Sequence, residues 1–477
     1  MLSLQLPERS GCVLRRRELM RIGGLTLPGL SLPQLLSLRS ASGSAALQQS
    51  VSEGRSCVFI FLFGGPSQLD MWDMKPQASR EIRGDFRPIA TSAADIQLCE
   101  HLPHLAGVMH HVCLVRSMHH RMPVHGPACS EIYSGRAYPL PPITDQARRE
   151  DWPSLSSLVT RFGPAGNSLP SAIVLPWHSQ FQGQQLRIAG QTGGRMGEQF
   201  NPFLLSAGLE SGEFDASELQ TESPAASTRL MHRARLLNQL EQRSSAADVP
   251  ADSAVRRLQE YQQTAFAMLE TGRIGRAVDL TQESPATLDR YGKSVFARSL
   301  LAARRLVEAG IPLITVNWYD DSFHDKVSPH WDQHNHIFPS LRDRMLPVFD
   351  QSLSAFLEDL QQRGLLSNTL VAATGEFGRT PRVGQFTQNA MTEASGRDHW
   401  PHAFTVLLAG GGIRGGQVFG ATDHHAAHVR DNPVTPADLT ATILEHLGID
   451  TTRQYWDPFQ QQRQVLTQGR AIPVERG

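Results

Sequence analysis

Short, continuous runs of apolar residues recur along the chain, and amphipathic stretches lie between the later ones. Runs of this kind are typical of strands that are buried on both faces of a parallel sheet. They occupy residues 57–63, 112–115, 172–175, 311–316, 369–373 and 403–408. Helical periodicity covers residues 295–309 and 346–363, each followed by a glycine. Strands that alternate with helices predict an α/β fold with a mostly parallel sheet.

Residues 199–283 differ from this pattern because they are more polar. Two stretches near 230–242 and 254–269 keep the apolar spacing of amphipathic helices. The segment is therefore predicted to be a helical insertion or lid within a single domain that covers residues 50–470.

The first 45 residues have the layout of an export signal. Arg16 and Arg17 precede Glu18 and Leu19, a weakly apolar stretch covers residues 22–36, and small residues follow. This order predicts a twin-arginine-type signal segment, the twin-arginine export machinery as a partner, and a periplasmic or otherwise exported protein. The alternative is a basic amphipathic helix. The apolar stretch is too short and too rich in glycine and proline for a stable membrane span.

The composition argues against a nucleic-acid partner and indicates candidate sites rich in histidine. The net charge is -1, and apart from the arginine run at residues 15–17 Lys and Arg do not cluster, so no nucleic-acid partner is expected. The 19 histidines do cluster, with seven of them between residues 101 and 125 and four between residues 324 and 336. Imidazole is both a metal ligand and an acid or base near neutral pH, so these stretches are candidate sites.

Carboxylates and imidazoles also follow several of the predicted strands. In open α/β sheets, sites form at the carboxyl ends of the strands. The candidate ligands are Asp70 after the first run, Asp332, His334 and His336 after the fourth, Glu376 after the fifth, and His399 before the sixth. Asp332 and His336 would share one face of a helical turn, whereas Asp332 and His334 would share a face of an extended segment. Either pair can bind a cation.

Several segments resemble known families. Residues 132–136, 408–418 and 435–449 resemble three sulfatase motifs and occur in the sulfatase order. The chain is more closely similar to the exported family called domain of unknown function 1501, in its leader and in residues 64–70, 331–334, 375–381 and 396–401. The resemblance implies an alkaline-phosphatase-like, three-layer α/β/α fold with a mostly parallel central sheet and one or two divalent metal ions at the strand ends.

The resemblance also implies roles for the ligands. Asp332 and His336 match an Asp-x-x-x-His pair that binds one metal, and His399 would complete that set. Asp70 is similar to the first-strand carboxylate of a second metal, and Glu376 lies where an Asp-His pair is usual. Mixed carboxylate and imidazole ligands suit zinc, manganese or iron, or calcium if oxygen ligands dominate.

Two departures from the sulfatase pattern bear on the chemistry. Phe377 follows Glu376 where a histidine ligand is usual, and His125 stands where the resemblance puts the nucleophilic Cys, Ser or Thr. For His125 three roles stay open: a metal ligand, a catalytic acid, base or nucleophile, and a structural residue. The chain has no Cys-x-Pro-x-Arg motif, so the formylglycine chemistry of sulfatases is not expected.

Two further residues are candidates for catalysis. Arg379 follows the glycine turn that carries Glu376, and a planar guanidinium suits sulfate or phosphate. His120 is a candidate ligand or proton donor. The leading hypothesis is a metal-dependent hydrolase of sulfate or phosphate esters in the cell envelope, which acts on a sulfated or phosphorylated small molecule or polysaccharide. The alternative is a non-catalytic binding or scaffold protein that retains a structural metal.

Overall fold

A computed structural model describes residues 54–139, 146–164, 169–180, 187–206, 272–320, 328–387 and 393–477, together with single positions between 232 and 325. The predicted signal segment, residues 1–45, and most of the predicted insertion, residues 199–283, lie outside the described residues.

The described residues contain sixteen strands. They are β1 Ser56–Phe61, β2 Pro88–Ala90, β3 Gln97–Cys99, β4 Val112–Met118, β5 Ala172–Leu175, β6 Phe203–Leu204, β7 Leu313–Asn317, β8 Thr369–Thr374, β9 Gly378–Arg379, β10 His399–Trp400, β11 Phe404–Gly410, β12 Gln417–Phe419, β13 Ala421–Thr422, β14 Val429–Asp431, β15 Gln454–Asp457 and β16 Gln462–Val465. Eight of them form one sheet in the order β12-β4-β11-β8-β1-β7-β5-β6, and the other eight form two-stranded ribbons.

The central sheet is parallel except at β11, which runs antiparallel to both of its neighbours. The predicted α/β class with a mostly parallel sheet is therefore confirmed. The six strands predicted from apolar runs are all present, with ends that differ by at most three residues. The edge strands β6 and β12 and the reversed direction of β11 were not predicted, because a short edge strand carries no long apolar run and a fully buried strand reads the same in either direction.

Eleven α-helices connect or flank these strands in the described part of the chain. They are α1 Gln68–Met71, α2 Arg80–Arg83, α3 Pro103–Gly107, α4 His125–Ser134, α5 Leu155–Phe162, α6 Arg273–Val278, α7 Pro285–Tyr291, α8 Val295–Glu308, α9 Ile337–Ser340, α10 Leu346–Gln362 and α11 Pro436–His446. Local signals set the ends of α8: the Ser294 hydroxyl accepts a hydrogen bond from the Ala297 N–H, and Gly310 turns the chain at a positive φ of 86°.

The core has one layer on each face of the sheet, which gives three layers in all. Along β1, Val58 and Ile60 face a cluster that includes side chains of α8 and α10, whereas Phe59 and Phe61 face a cluster that includes side chains of α4, α5 and α11. Alternation of side chains along a strand produces this division, and burial on both faces explains the continuous apolar run. Among the described helices, none combines the length and the apolar character needed to cross a bilayer.

Candidate metal centre

Several of the candidate side chains meet at one edge of the central sheet, where the parallel strands have their carboxyl ends. His125 begins α4 after β4, Asp332 and His334 lie in the loop after β7, and Glu376 follows β8. His399 reaches this edge through the β9–β10 ribbon, in which it pairs with Arg379. The parallel order of β8, β1 and β7 therefore gathers side chains that are far apart in the sequence.

Four of these side chains form a buried cluster. One donor atom from each of His125, Asp332, His334 and His399 lies within 4.8 Å of all the others. Asp332 is at the centre: its Oδ2 atom is 3.1 Å from His125 Nε2, and its Oδ1 atom is 2.8 Å from His334 Nε2 and 3.2 Å from His399 Nε2. The two Nε2 atoms of His334 and His399 are 3.0 Å apart. These four residues form the His/Asp cluster.

The second ring nitrogen of each histidine points away from the cluster toward an acceptor. His125 Nδ1 lies 2.6 Å from Glu376 Oε1, and His399 Nδ1 lies 2.8 Å from the Pro123 carbonyl oxygen. His334 Nδ1 is 3.8 Å from an Asp398 carboxylate oxygen. Metal-binding histidines usually donate their outer N–H group to a carboxylate or a backbone carbonyl, which leaves the inner nitrogen free to bind the ion.

The spacing and chemistry of the cluster fit a divalent metal ion. Ligand atoms that bind one zinc ion at about 2.0–2.2 Å lie roughly 3–3.5 Å from one another. The separations of 2.8 to 3.2 Å around Asp332 are close to this range. Three imidazoles and one carboxylate are a set that suits zinc and also manganese or iron. The cluster could therefore hold one metal ion.

Electrostatic coupling links His125 to two carboxylates. Burial alone would lower the pKa of His125, but Asp332 and Glu376 outweigh it and raise the pKa to about 9. Burial alone would raise the pKa of Asp332, but His125, Arg379 and the hydrogen bonds of the cluster hold it well below its usual value. Burial, together with the charge on His125, lowers the pKa of His399 to about 3. A metal ion bound by the cluster would displace a proton from His125, because a ligand imidazole must be neutral.

Glu376 lies beside the cluster and orients His125. Its carboxylate is fully buried and also accepts a hydrogen bond from the Gly64 N–H at 3.0 Å. Gly64 has a positive φ of 114°, and a side chain there would collide with the backbone of Trp331 and Asp332. The structure therefore places Glu376, a predicted ligand, one contact away from the donor atoms of the cluster.

Arg379 occupies a different position from the one predicted. Its side chain is fully buried, and its guanidinium donates to Asp332 Oδ1 at 2.6 Å and to the carbonyl oxygens of Gly64, Gly65 and Arg397. These acceptors belong to the protein and hold the loops of the site together. The prediction that Arg379 contacts the anionic group of a substrate is therefore corrected: its donors serve the scaffold of the site.

Asp70 is paired with an arginine and lies outside the His/Asp cluster. Arg397 donates two hydrogen bonds to the Asp70 carboxylate, at 2.8 and 3.1 Å, and the Ser67 hydroxyl donates a third at 2.5 Å. Both charged side chains are fully buried. The short helix α1 carries Asp70 toward this partner, so the carboxylate predicted for a second metal already has a fixed counter-ion.

His336 and His120 are also placed differently from the prediction. Residues 332–336 do not form a helical turn, since His336 has a left-handed φ of 44° and is exposed where α9 begins. Asp332 therefore meets His334, as expected for an extended segment.

His120 is buried, with Nε2 2.5 Å from the Glu376 carbonyl oxygen and Nδ1 accepting from the Met122 N–H. Burial lowers the pKa of His120 to about 4, so its ring is a neutral structural link.

Two loops interlock to position His334 and His399. The Arg397 N–H donates to the Gln333 carbonyl oxygen at 3.1 Å, and the Glu393 N–H donates to the His334 carbonyl oxygen at 2.9 Å. Gly396 packs so closely on the backbone of His334 that an added Cβ would collide with it. The position needs glycine because the two loops are in direct backbone contact.

A cleft beside the cluster was not predicted from the sequence. It has a volume of about 180 Å³ and lies at the carboxyl ends of β1, β5 and β7. The described residues that line it are Phe63, Pro176, Trp177, His178, Ser179, Gln180, Asn317, Trp318, Tyr319 and His330. The sequence did contain a signal for this cleft: Trp177 follows the third apolar run, and Trp318 and Tyr319 follow the fourth. Parallel strands bring residues at their carboxyl ends together.

Solved structures with a related fold are sulfatases and alkaline-phosphatase-like proteins. A sulfatase, PsFucS1 from Pseudoalteromonas sp., is 12% identical over 87% of this chain and 71% of its own, with a TM-score of 0.37. A TAB5 alkaline phosphatase variant with bound Mg is 9% identical over 83% of this chain and 98% of its own, with a TM-score of 0.34. The lipoteichoic acid synthase LtaP from Listeria monocytogenes is 10% identical over 84% of this chain and 73% of its own, with a TM-score of 0.32.

At these identities and TM-scores, the likeness concerns the general fold and carries no argument about the reaction. Comparison with curated proteins gives no match. The family resemblance read from the sequence is confirmed over most of the chain. The sequence model of the family described as "protein of unknown function (DUF1501)" matches residues 54–474, and the chain belongs to this family.

Proposed function

We propose that this protein is a metal-dependent hydrolase of sulfate or phosphate esters. The observation that carries the proposal is the convergence of three imidazole Nε2 atoms on Asp332 in a buried cluster, with donor atoms within 4.8 Å of one another. Arg379 already pairs with Asp332 at 2.6 Å, as Arg397 pairs with Asp70 at 2.8 Å, so the three buried imidazoles are not needed as counter-charges for this carboxylate. Their arrangement is what a divalent metal ion requires.

His125, Asp332, His334 and His399 would hold the metal ion. When bound, the ion would supply Lewis-acid polarisation of an oxygen atom of the ester. Asp332 is the one negatively charged ligand of the set, and the imidazole ligands would be neutral. A divalent ion bound there would therefore keep a net positive charge, which attracts an anionic ester. The proposal is for one ion, since Asp70 is bound to Arg397 and Phe377 stands where a further histidine would be expected.

The residues around the cluster keep its geometry and limit access of water. Glu376 accepts from His125 Nδ1 and so fixes the ring with Nε2 toward Asp332. The Phe377 ring stacks on His399 with centroids 4.5 Å apart and lies 4.9 Å from the His125 ring. A buried aromatic side chain against two imidazoles excludes water and strengthens the electrostatic interactions within the site.

One observation favours a second candidate function, a binding or scaffold protein with a structural metal. Arg379 directs its guanidinium at internal acceptors, so it does not supply the anion contact that an ester hydrolase of this kind would use. Under this alternative the cluster would bind metal tightly and the protein would turn over no ester.

Metal content and ester turnover, measured on the same preparation, separate these functions. The protein would be analysed by elemental mass spectrometry and assayed with 4-nitrophenyl sulfate and 4-nitrophenyl phosphate after addition of zinc, manganese or calcium. The hydrolase proposal expects one ion per chain and turnover of at least one ester, both lost in Asp332→Asn and His334→Ala. The exposed Asp343→Asn is the matched control. One tightly bound ion without turnover supports the scaffold, and no bound ion contradicts both.

We further propose export by the twin-arginine machinery on the basis of Arg16, Arg17 and Leu19. A double variant with Arg16→Lys and Arg17→Lys keeps the charge but removes the paired guanidinium groups. The expected result is retention of the variant in the cytoplasm while the wild-type chain is recovered from the periplasm on cell fractionation. Equal distribution of the two chains would contradict this assignment.

A further inference from the structure

The aromatic cleft beside the His/Asp cluster has the properties of a binding site for a neutral ring. Its walls include Phe63, Trp177, Trp318 and Tyr319. The rings of Trp177 and Tyr319 meet edge to face with centroids 4.5 Å apart. None of the described residues that line the cleft is Lys, Arg, Asp or Glu, so the cleft offers mainly apolar surface with a few polar groups. Flat apolar walls with a few polar groups are typical of small-molecule sites.

The cleft and the cluster share a wall. The Phe63 ring lies 5.6 Å from the His125 ring and 6.0 Å from the His330 ring, measured between centroids. His330 lines the cleft and precedes Asp332, a member of the cluster, by two residues. A molecule in the cleft would therefore lie on the other side of the Phe63 ring from His125 and beside the loop that carries Asp332.

A buried polar atom without a partner marks the cleft as a ligand site. His178 is 8% exposed, lines the cleft and has a side-chain hydrogen bond with Gln191, but its Nδ1 atom has no hydrogen-bond partner of normal geometry among the described residues. Burial lowers the pKa of His178 to about 4, so the ring is neutral at pH 7. A buried polar atom of this kind is costly unless a water molecule or a ligand satisfies it, and the hydroxyl group of a ligand would do so.

Hydrogen bonds fix the walls of the cleft. The Asn317 side-chain amide donates to the Trp177 carbonyl oxygen at 2.6 Å, and its oxygen accepts from the Tyr133 hydroxyl at 2.8 Å. Asp320 holds Trp318 Nε1 at 2.9 Å and His330 Nδ1 at 3.0 Å. The Trp318 and His330 rings and the backbone at Trp177 are thus held in place before a ligand binds, which lowers the entropic cost of binding.

We propose that this cleft binds the alcohol portion of the ester, an uncharged six-membered ring that carries a hydroxyl group hydrogen-bonded to His178. The cleft volume of about 180 Å³ is suitable, since an apolar protein cavity of about 150 Å³ binds benzene. That the bound ring is part of an ester rests on the proposed function, whereas binding of the ring itself does not depend on hydrolysis.

Calorimetric titration of the full protein with phenol and with methyl glucoside tests the proposal, because these uncharged probes represent an aromatic and a sugar ring that each carry a hydroxyl group. At least one of them is expected to bind, and Trp177→Ala and His178→Ala are each expected to weaken binding about tenfold. His178→Asn, which keeps a polar atom near Nδ1, should restore part of the loss. Trp456→Ala is the matched control because Trp456 is exposed on the surface.

The outcomes separate the cleft from the reaction. Asp332→Asn should abolish turnover and leave ring binding unchanged. Ring binding that depends on Trp177 and His178 without any turnover would contradict the hydrolase and support the cleft. Turnover with a KM that is unchanged in Trp177→Ala and His178→Ala, or failure of both probes to bind, would overturn the cleft. Trp177→Phe keeps an aromatic ring and should retain most of the ring binding, so it shows whether the loss in Trp177→Ala comes from misfolding.

Discussion

Asp70 and Asp332 are both buried aspartates at the same end of the molecule, but they have different kinds of neighbours. Asp70 accepts two hydrogen bonds from Arg397, which is always protonated. Asp332 has three imidazole nitrogens within 3.2 Å, in addition to Arg379. A buried carboxylate is therefore a candidate ligand only where its neighbours can lose their protons and turn lone pairs toward a cation.

The largest expected effect concerns the stability that the Asp70 pair provides. Asp70→Ala would leave Arg397 buried without its counter-ion, which should lower the free energy of unfolding by about 3–5 kcal/mol. Urea denaturation measures this, with Asp343→Ala as an exposed control. A loss of bound metal without a loss of stability would show that Asp70 is a ligand after all.

Metal addition should stabilise the protein through Asp332 and not through Asp70. At a free zinc concentration 100 times the Kd, the free energy of unfolding should rise by about 2.7 kcal/mol, because the ion binds the folded state. The rise should persist in Asp70→Asn and vanish in Asp332→Asn. Equal stabilisation of both variants would place the metal elsewhere.

A smaller effect is expected from the carboxylate that orients His125. Glu376→Gln removes the charge but keeps the shape, and zinc affinity should fall about tenfold to 100-fold because the outer nitrogen of a ligand loses its acceptor. Competition with a chromogenic chelator measures the change. An unchanged affinity would mean that His125 does not bind the ion through Nε2.

The smallest expected effect separates His120 from the His/Asp cluster. The pKa of His120 is about 4 in the folded protein, below the ordinary value of 6.5, so its contribution to stability is complete above pH 6.5 and is lost as pH falls toward 4. At pH 5.5 the loss should be about 1.4 kcal/mol. His120→Gln should reduce the difference in unfolding free energy between pH 7.5 and pH 5.5, whereas the exposed His424→Gln should not. If the two variants showed the same difference in unfolding free energy between pH 7.5 and pH 5.5, groups other than His120 would cause the loss of stability in acid.

The fold was predictable because strands buried on both faces leave an unambiguous apolar run. The six runs predicted the centre of the sheet, and the glycines after α8 and α10 marked the helix ends. The meeting of Asp332, His334 and His399 was predictable to a lesser extent, because parallel strands bring their carboxyl ends to one edge.

The direction in which each side chain points could not be read from the sequence. The choice between His334 and His336 depended on whether residues 332–336 form a helical turn, and the left-handed backbone of His336 decides it. Likewise, nothing in the sequence around Asp70 identifies Arg397 as its partner, 327 residues further along the chain. Contacts between distant loops depend on packing, which local patterns do not record.

The His/Asp cluster draws on segments far apart in the chain, and Glu376, which orients His125, follows it by 251 positions. The cluster therefore cannot exist in a fragment that ends before β10, even if that fragment formed the middle of the sheet. Metal uptake would then report that the chain has folded at least as far as β10, because a fragment without His399 would have an incomplete ligand set and should bind the ion more weakly.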